Sequence, residues 1–173
     1  MVANKSTNFI MEIKIMNFTE FEQNSRHKSY EANLAKEAKI TQVFLRWCDE
    51  NNWLYQVNPT NTKENCQGCD VAIGNTITGI RMHIDLKGCV NKYDNICLSY
   101  ERSYDGEHWF NTLNNRTTSA YVFIDEDNNI YAITKKDVLA NLNNYKHVNV
   151  SPKTAGHFQH AVLIPKASLQ VLQ

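Results

Sequence analysis

The chain has 173 residues, 42% of them hydrophobic and 21% charged, with 18 basic side chains against 18 acidic ones and a formal net charge of zero. This length suits one globular domain with a real core and leaves little room for two. The balance excludes a globally basic nucleic-acid binder, and no stretch approaches the length of a membrane span.

The charge is unevenly spread. Between Asp94 and Asp127 the acids Asp94, Glu101, Asp105, Glu107, Asp125, Glu126 and Asp127 face only Arg102 and Arg116. From Lys135 onward, Lys135, Lys136, Lys146, Lys153 and Lys166 face only Asp137, and His147, His157 and His160 lie in the same segment. A basic segment of this kind can lie along phosphates, or be ordinary solvated surface. No signal-peptide pattern is visible. The five cysteines therefore read as reduced thiols, their odd number argues against a complete disulfide framework, and the expected location is cytoplasmic.

Residues 1–15 read as a flexible extension, with a weakly alternating strand at 9–16, ahead of a single domain over 16–173. Thr19 and Glu22 fit a capping box. A helical stretch then runs to about Asn51, its apolar positions Ile40, Val43, Phe44 and Trp47 spaced for one face. Residues 53–57 read as a strand, and 58–68, rich in Asn, Thr and Pro, as a loop. A short strand at 69–73 and a turn at 74–79 lead into 80–88, where Ile80, Met82, Ile84 and Leu86 alternate with Arg81, His83, Asp85 and Lys87. That period of two predicts a strand with one apolar face and one charged face. Residues 95–100 alternate again, and 106–115 read as a short helix between loops. Residues 120–124 are continuously apolar, as in a strand covered on both faces. The turn at 125–129 makes 130–133 the second arm of a hairpin. Thr134, with Asp137 three residues on, caps a helix, and 161–164 is a last strand stopped by Pro165. Consecutive strands flanked by helices predict an α/β or α+β domain built on a mixed central β-sheet with helices on its sides.

The chemistry concentrates on the strand at 80–88. A hairpin would bring Asp70 beside Asp85, and two close carboxylates repel unless a cation sits between them. Oxygen donors with open positions suit Mg²⁺ or Mn²⁺. Lys87 shares the face of Asp85, where an ammonium orients a water or neutralises a phosphoryl group. Helical projection puts Glu37 on the apolar stripe and Glu31 well away from it. An acid facing a core needs a partner or a metal. The plainer account of the same residues is an edge strand with an incidental ion pair.

Glu37, Asp70 and Asp85-Leu86-Lys87 together resemble the PD-(D/E)XK, or restriction-endonuclease-like, nuclease superfamily. Its pattern is a helix that often carries an acid, an Asp on one strand, and (Asp or Glu)-x-Lys on the next. The resemblance spans residues 30–140 in element order, with Cys69 where the family name has proline. It implies a restriction-endonuclease-like core. It also implies a Mg²⁺- or Mn²⁺-dependent endonuclease in which Asp70, Asp85, Glu37 and the Leu86 carbonyl bind metal and Lys87 holds the water. The substrate it implies is nucleic acid, most often DNA, and a homodimer is the arrangement expected for cutting both strands of a duplex. Glu12-Ile13-Lys14 matches the tripeptide too, but has no preceding strand Asp.

Weaker signals remain. Cys66 and Cys69 form a CxxC, and Cys89 and Cys97 would complete four thiolates for zinc, although their spacing is unlike a second knuckle. His83 reads as a sheet residue that hydrogen-bonds to ordinary partners. Arg102 and Arg116 read equally as phosphate clamps or surface ion pairs. No P-loop, GxGxxG or GxSxG occurs. The reading from another class is a non-catalytic protein that uses a nuclease-like fold as a scaffold to bind nucleic acid or protein.

Overall fold

The structure is a computed structural model that describes residues 31–59, 62–150 and 158–173, and the backbone alone at Asn115. The strand expected at 9–16, the capping box at Thr19, His157 and Lys153 lie outside these residues, as does the boundary expected between 15 and 16. The chain divides into two compact units between Lys39 and Ile40. The described part of the first unit, residues 31–39, is helical and exposed throughout.

Helix α1 runs over residues 31–50. Within the second unit its residues Ile40, Phe44 and Cys48 are buried, a spacing of four that keeps one face inward. The unit continues with β1 (Leu54–Val57), α2 (Lys63–Cys66), β2 (Val71–Gly74), β3 (Arg81–Gly88), β4 (Asn95–Ser103), β5 (Phe110–Asn111), α3 (Thr112–Asn115), β6 (Ala120–Ile124), β7 (Ile130–Thr134), α4 (Lys135–Asn141), β8 (Lys146–Val150), β9 (Phe158–Pro165) and β10 (Gln170–Leu172). The hairpin at 120–134 and the Thr134 cap, whose hydroxyl accepts from the Asp137 amide, fall where the sequence puts them.

The fold is mixed α+β. A six-stranded sheet has the order β1-β2-β3-β6-β7-β10, and β3–β6 is its one parallel pair. A four-stranded antiparallel sheet has the order β5-β4-β9-β8. All five residues of β6 are buried, because alternate side chains enter two different cores. Ala120, Val122 and Ile124 pack with Ile40, Phe44, Val71, Ile73 and Ile84. Tyr121 and Phe123 pack with Ile96 and Leu98 of β4, Val162 and Ile164 of β9, and Val138 of α4.

The expectation of a single sheet flanked by helices is therefore corrected on one face. There the alternating apolar residues of β4 and β9 supply a second sheet as the cover. The charged side of β3 consequently lies over this second core, and Asp85 is only 4% exposed. The sequence pattern, which treats that side as solvated, misses a covering layer that comes from strands distant in the chain. Among the described residues no helix is long and apolar enough to cross a membrane.

Candidate active site

Three strands converge on Asp85. Its own strand, β3, pairs with β2 on one side, ending at Val71 opposite Ile84, and with β6 on the other, where Tyr121 stands opposite Asp85. Met82, Ile84 and Leu86 pack on the α1 side, so alternation turns Asp85 and Lys87 to the opposite side. Lys87 Nζ donates to Asp85 Oδ1 at 2.9 Å. Arg116 Nη1 lies 3.5 Å from Asp85 Oδ2 as an ion pair. The guanidinium is not aligned for a hydrogen bond, and Oδ2 is left buried with no hydrogen-bond partner. A buried carboxylate oxygen in that condition is costly.

Asp70 sits one residue before β2. Its amide donates to the Ile84 carbonyl at 2.8 Å, and its Oδ2 accepts from the Leu86 amide at 2.7 Å. In extended backbone, N–H and C=O of one residue point to the same side. The Leu86 carbonyl is thus directed past the end of β2, beside Asp70. Asp70 Oδ1 accepts from Asn65 Nδ2 at 2.7 Å. Burial, and next the charge of Asp85, push the Asp70 carboxyl up to about 6, against the pull of the Leu86 amide and Lys87. The charge of Asp85 thus adds to burial in disfavouring the ionised form of Asp70, as a nearby like charge does.

The loop before Asp70 is built to hold it there. Thr62 caps α2, and α2 delivers Asn65. Asn58 is buried, donates from its amide to the Asp70 carbonyl at 2.8 Å, and donates from Nδ2 to the Cys69 carbonyl at 2.9 Å. Gly68 has φ +83°, and a Cβ there would meet Thr118 Oγ1 at 2.5 Å and Arg116 Cδ at 2.8 Å. This close approach lets the Thr118 hydroxyl donate to the Gly68 carbonyl at 2.7 Å and lays Arg116 across the loop toward Asp85. Lys135 Nζ donates to the Arg116 carbonyl at 2.8 Å and so supports the same arginine.

Two further groups sense the acids. Burial, and next Asp85, push the Tyr121 phenol up to about 12, so it stays neutral. Burial, and next Arg116, lower Arg102, while Asp85 holds it up. Arg102 Nε is buried with no hydrogen-bond partner. The surface ion-pair reading of Arg102 and Arg116 thus fails: one is half-buried with an unpartnered nitrogen, and the other is directed at a buried acid.

The structure brings Asp70, Asp85, Leu86 and Lys87 together. Glu37 belongs to the 31–39 unit and is exposed, so burial imposes no partner on it, as Glu31 is likewise exposed. His83 is exposed and is held through its main chain, its amide donating to Ser119 Oγ and its carbonyl accepting from the Ser119 amide. Among the described residues no three His, Cys, Asp or Glu side chains group to hold a metal. The four-thiolate zinc site from Cys66, Cys69, Cys89 and Cys97 is therefore not formed; Cys69 is buried and accepts from Asn58, while Cys66 and Cys97 are exposed.

Sequence reasoning missed Asn65, Asn58 and Tyr121. Asn65 had a signal in Thr62, a helix cap inside the presumed loop. Tyr121 had none, because its position opposite Asp85 depends on register. A cavity of about 640 Å³ opens on the other side of the sheet, lined by Phe44, Trp47, Trp53, Met82 and Ile84, and neither Asp70 nor Asp85 lines it. In comparisons with family models, curated proteins and solved structures, nothing matches this chain.

Proposed function

We propose that the chain is a divalent-metal-dependent phosphodiester hydrolase of the PD-(D/E)XK kind, acting on nucleic acid, with DNA as the first substrate to test. One observation carries this reading. The Asp85 carboxylate has a buried oxygen without a hydrogen bond, next to an Asp70 carboxyl that burial and Asp85 together raise to about 6. A hard cation relieves both conditions, and the available donors are all oxygens, which favours Mg²⁺ or Mn²⁺ over softer metals. Asp70, Asp85 and the Leu86 carbonyl would hold it. Element order supports the reading too: an Asp before β2, Asp-x-Lys on β3, and the hairpin β6–β7, with β6 buried throughout, in the same sheet.

When bound, the cation supplies charge for the scissile phosphate and makes its water more acidic. The chain's own groups do the rest. Lys87, anchored on Asp85 at 2.9 Å, presents an ammonium that orients the attacking water and neutralises charge developing on the phosphoryl oxygens. Arg116, paired with Asp85, and Arg102, which feels the charge of Asp85, bring two more cations to that acid, and the rigid guanidinium fork suits phosphate oxygens. Asp70, whose carboxyl lies near 6 without a metal, would give up its proton to serve as a ligand, so metal binding would weaken below that pH. Glu37 is the further acid whose substitution belongs in the same assay, and a second copy of the chain would serve the second strand of a duplex.

The scaffold reading also has an observation in its favour: Lys87 and Arg116 already compensate Asp85 without a metal. Incubation with plasmid, linear duplex, single strand and RNA, each with Mg²⁺ or Mn²⁺, separates the two. Hydrolysis in the wild type, abolished in a folded Asp85→Asn variant together with Mg²⁺-induced stabilisation, is the expected result. A wild type that cuts nothing and gains no thermal stability from either metal would be a scaffold.

A further inference from the structure

The cavity of about 640 Å³ on the α1 side of the six-stranded sheet is hollow for a reason that register makes plain. On this side the hairpin β6–β7 pairs Ile124 with Ile130, then Val122 with Ala132, then Ala120 with Thr134. The side chains shrink along the hairpin, and α1, which buries Ile40, Phe44 and Cys48, does not fill the space they leave. Every lining residue belongs to the second unit. Ile73 of β2, Met82 of β3, Val122 of β6, Ala132 of β7 and Leu172 of β10 all line it, so it crosses five successive strands. Neighbouring strands lie about 4.8 Å apart, which makes the crossing roughly 19 Å long. That volume over that length is a narrow channel, wide enough for one chain or one row of rings.

Its apolar and polar walls come from different elements. Phe44 and Trp47 stack with centroids 5.7 Å apart, and Trp47 and Trp53 with centroids 6.5 Å apart. Trp47 Nε1 donates to the Gln173 main-chain oxygen at 3.1 Å, so the Trp47 ring brings only apolar surface to the cavity. The polar lining comes from the end of β7, from α4 and from the start of β10. There Thr134, Asp137, Asn141, Ser168 and Gln170 are all exposed and form the mouth. Asp137 is the one charged side chain among the described lining residues. Its neighbour Lys135 is turned away, donating to the Arg116 carbonyl. Burial, and next Asp137, push the Tyr145 phenol up, so Tyr145 stays neutral beside that acid.

An apolar cavity of this size with a few polar groups at its mouth is the usual form of a small-molecule site. Left empty, its lining forfeits the contacts that an occupant restores. The carboxylate at the mouth attracts a cation and repels an anion. We infer that the cavity binds a long, narrow apolar molecule headed by a protonated amine, with the apolar body along Met82, Val122 and the Trp47–Trp53 stack and the ammonium at Asp137. Neither Asp70 nor Asp85 lines the cavity, so this site stands or falls apart from the hydrolase reading.

The test is isothermal titration calorimetry of the full chain with decylamine, decanol and decanoate, each below the concentration at which it aggregates. Decylamine should bind about tenfold more tightly than decanoate, with decanol between them, as one exposed ion pair gained and one like-charge contact avoided would give. Asp137→Asn leaves the main-chain amide that the Thr134 hydroxyl caps, and should bring the three affinities to within about twofold of one another. Ala132→Leu fills the channel and should abolish binding of all three probes while keeping a cooperative thermal melt. A wild type that takes up none of the probes has a cavity that is empty or filled by a polypeptide segment, and overturns the proposal. Equal binding of decylamine and decanoate, or a preference for decanoate, overturns it as well. So does a folded Ala132→Leu variant that binds decylamine as the wild type does. Should Ala132→Leu fail to fold, Asp137→Asn decides: an unchanged preference for the amine there refutes the site.

Discussion

Titrating Asp70 measures how strongly burial, and next the charge of Asp85, disfavour its ionised form. Its carboxyl moves from an ordinary 3.8 in the unfolded chain to about 6 in the fold. A raised carboxyl means that the folded state binds the proton more tightly, so its contribution to stability is full below about pH 4 and is lost as pH rises through about 6. At 1.36 kcal/mol per pH unit, the loss is on the order of 3 kcal/mol. For a chain of this size it corresponds to roughly 6–12 °C in Tm. Asp70→Asn removes the titration. The wild type minus the variant should therefore fall by that amount between about pH 4 and about pH 6 in differential scanning calorimetry. Asp105 and Asp125, both held below the usual carboxylate range, act in the opposite direction but cancel in the difference. Mg²⁺ should reverse the trend, because a cation on Asp70 must displace its proton: the metal-induced rise in Tm should grow as pH passes about 6. Parallel wild-type and Asp70→Asn curves across this range would show that Asp70 is an ordinary solvated acid, and would remove the main support for a shared cation.

Lys87→Ala should destabilise the fold and, under the hydrolase reading, also stop hydrolysis. Lys87 is 28% exposed in its side chain but Asp85 only 6%, so the cost falls between the limits for exposed and buried pairs, about 2 kcal/mol by urea denaturation. Adding Asp85→Asn should recover part of it, and a double-mutant cycle with no coupling would refute the pairing. Gly68→Ala should cost about 2–3 kcal/mol, from the unfavourable φ and the clash with Thr118, and should weaken Mg²⁺-induced stabilisation by displacing the loop that holds Asp70. An unchanged urea midpoint would mean that the loop adjusts freely.

The local pattern carried a large part of this molecule. Alternation over 80–88 placed Asp85 and Lys87 on one side of β3, and the continuous apolar run 120–124 marked the strand buried on both faces. What stayed hidden was set by contacts distant in sequence. β8 is mostly exposed and β10 nearly so, so neither carries a buried period to read. Both exist because β9 and β7 offer them free edges. The same cause moved Asp85 from a solvated face to a buried one: β4 and β9 build the cover, and no property of residues 80–88 announces it.

That difference changes the meaning of the charges. On a solvated face, Asp85 and Lys87 would be a pair worth about 0–1 kcal/mol, with no consequence for function. Under the second sheet, a carboxylate with one oxygen lacking a hydrogen bond is a cost that the fold retains beside another acid, ion-paired with Lys87 and Arg116. Apolar side chains of similar volume in such a place are often neutral or more stable. The arrangement therefore earns no stability as it stands, and under the hydrolase reading proposed above its account would lie in what it binds: a cation between Asp70 and Asp85 would turn the least favourable atom of the site into its strongest contact.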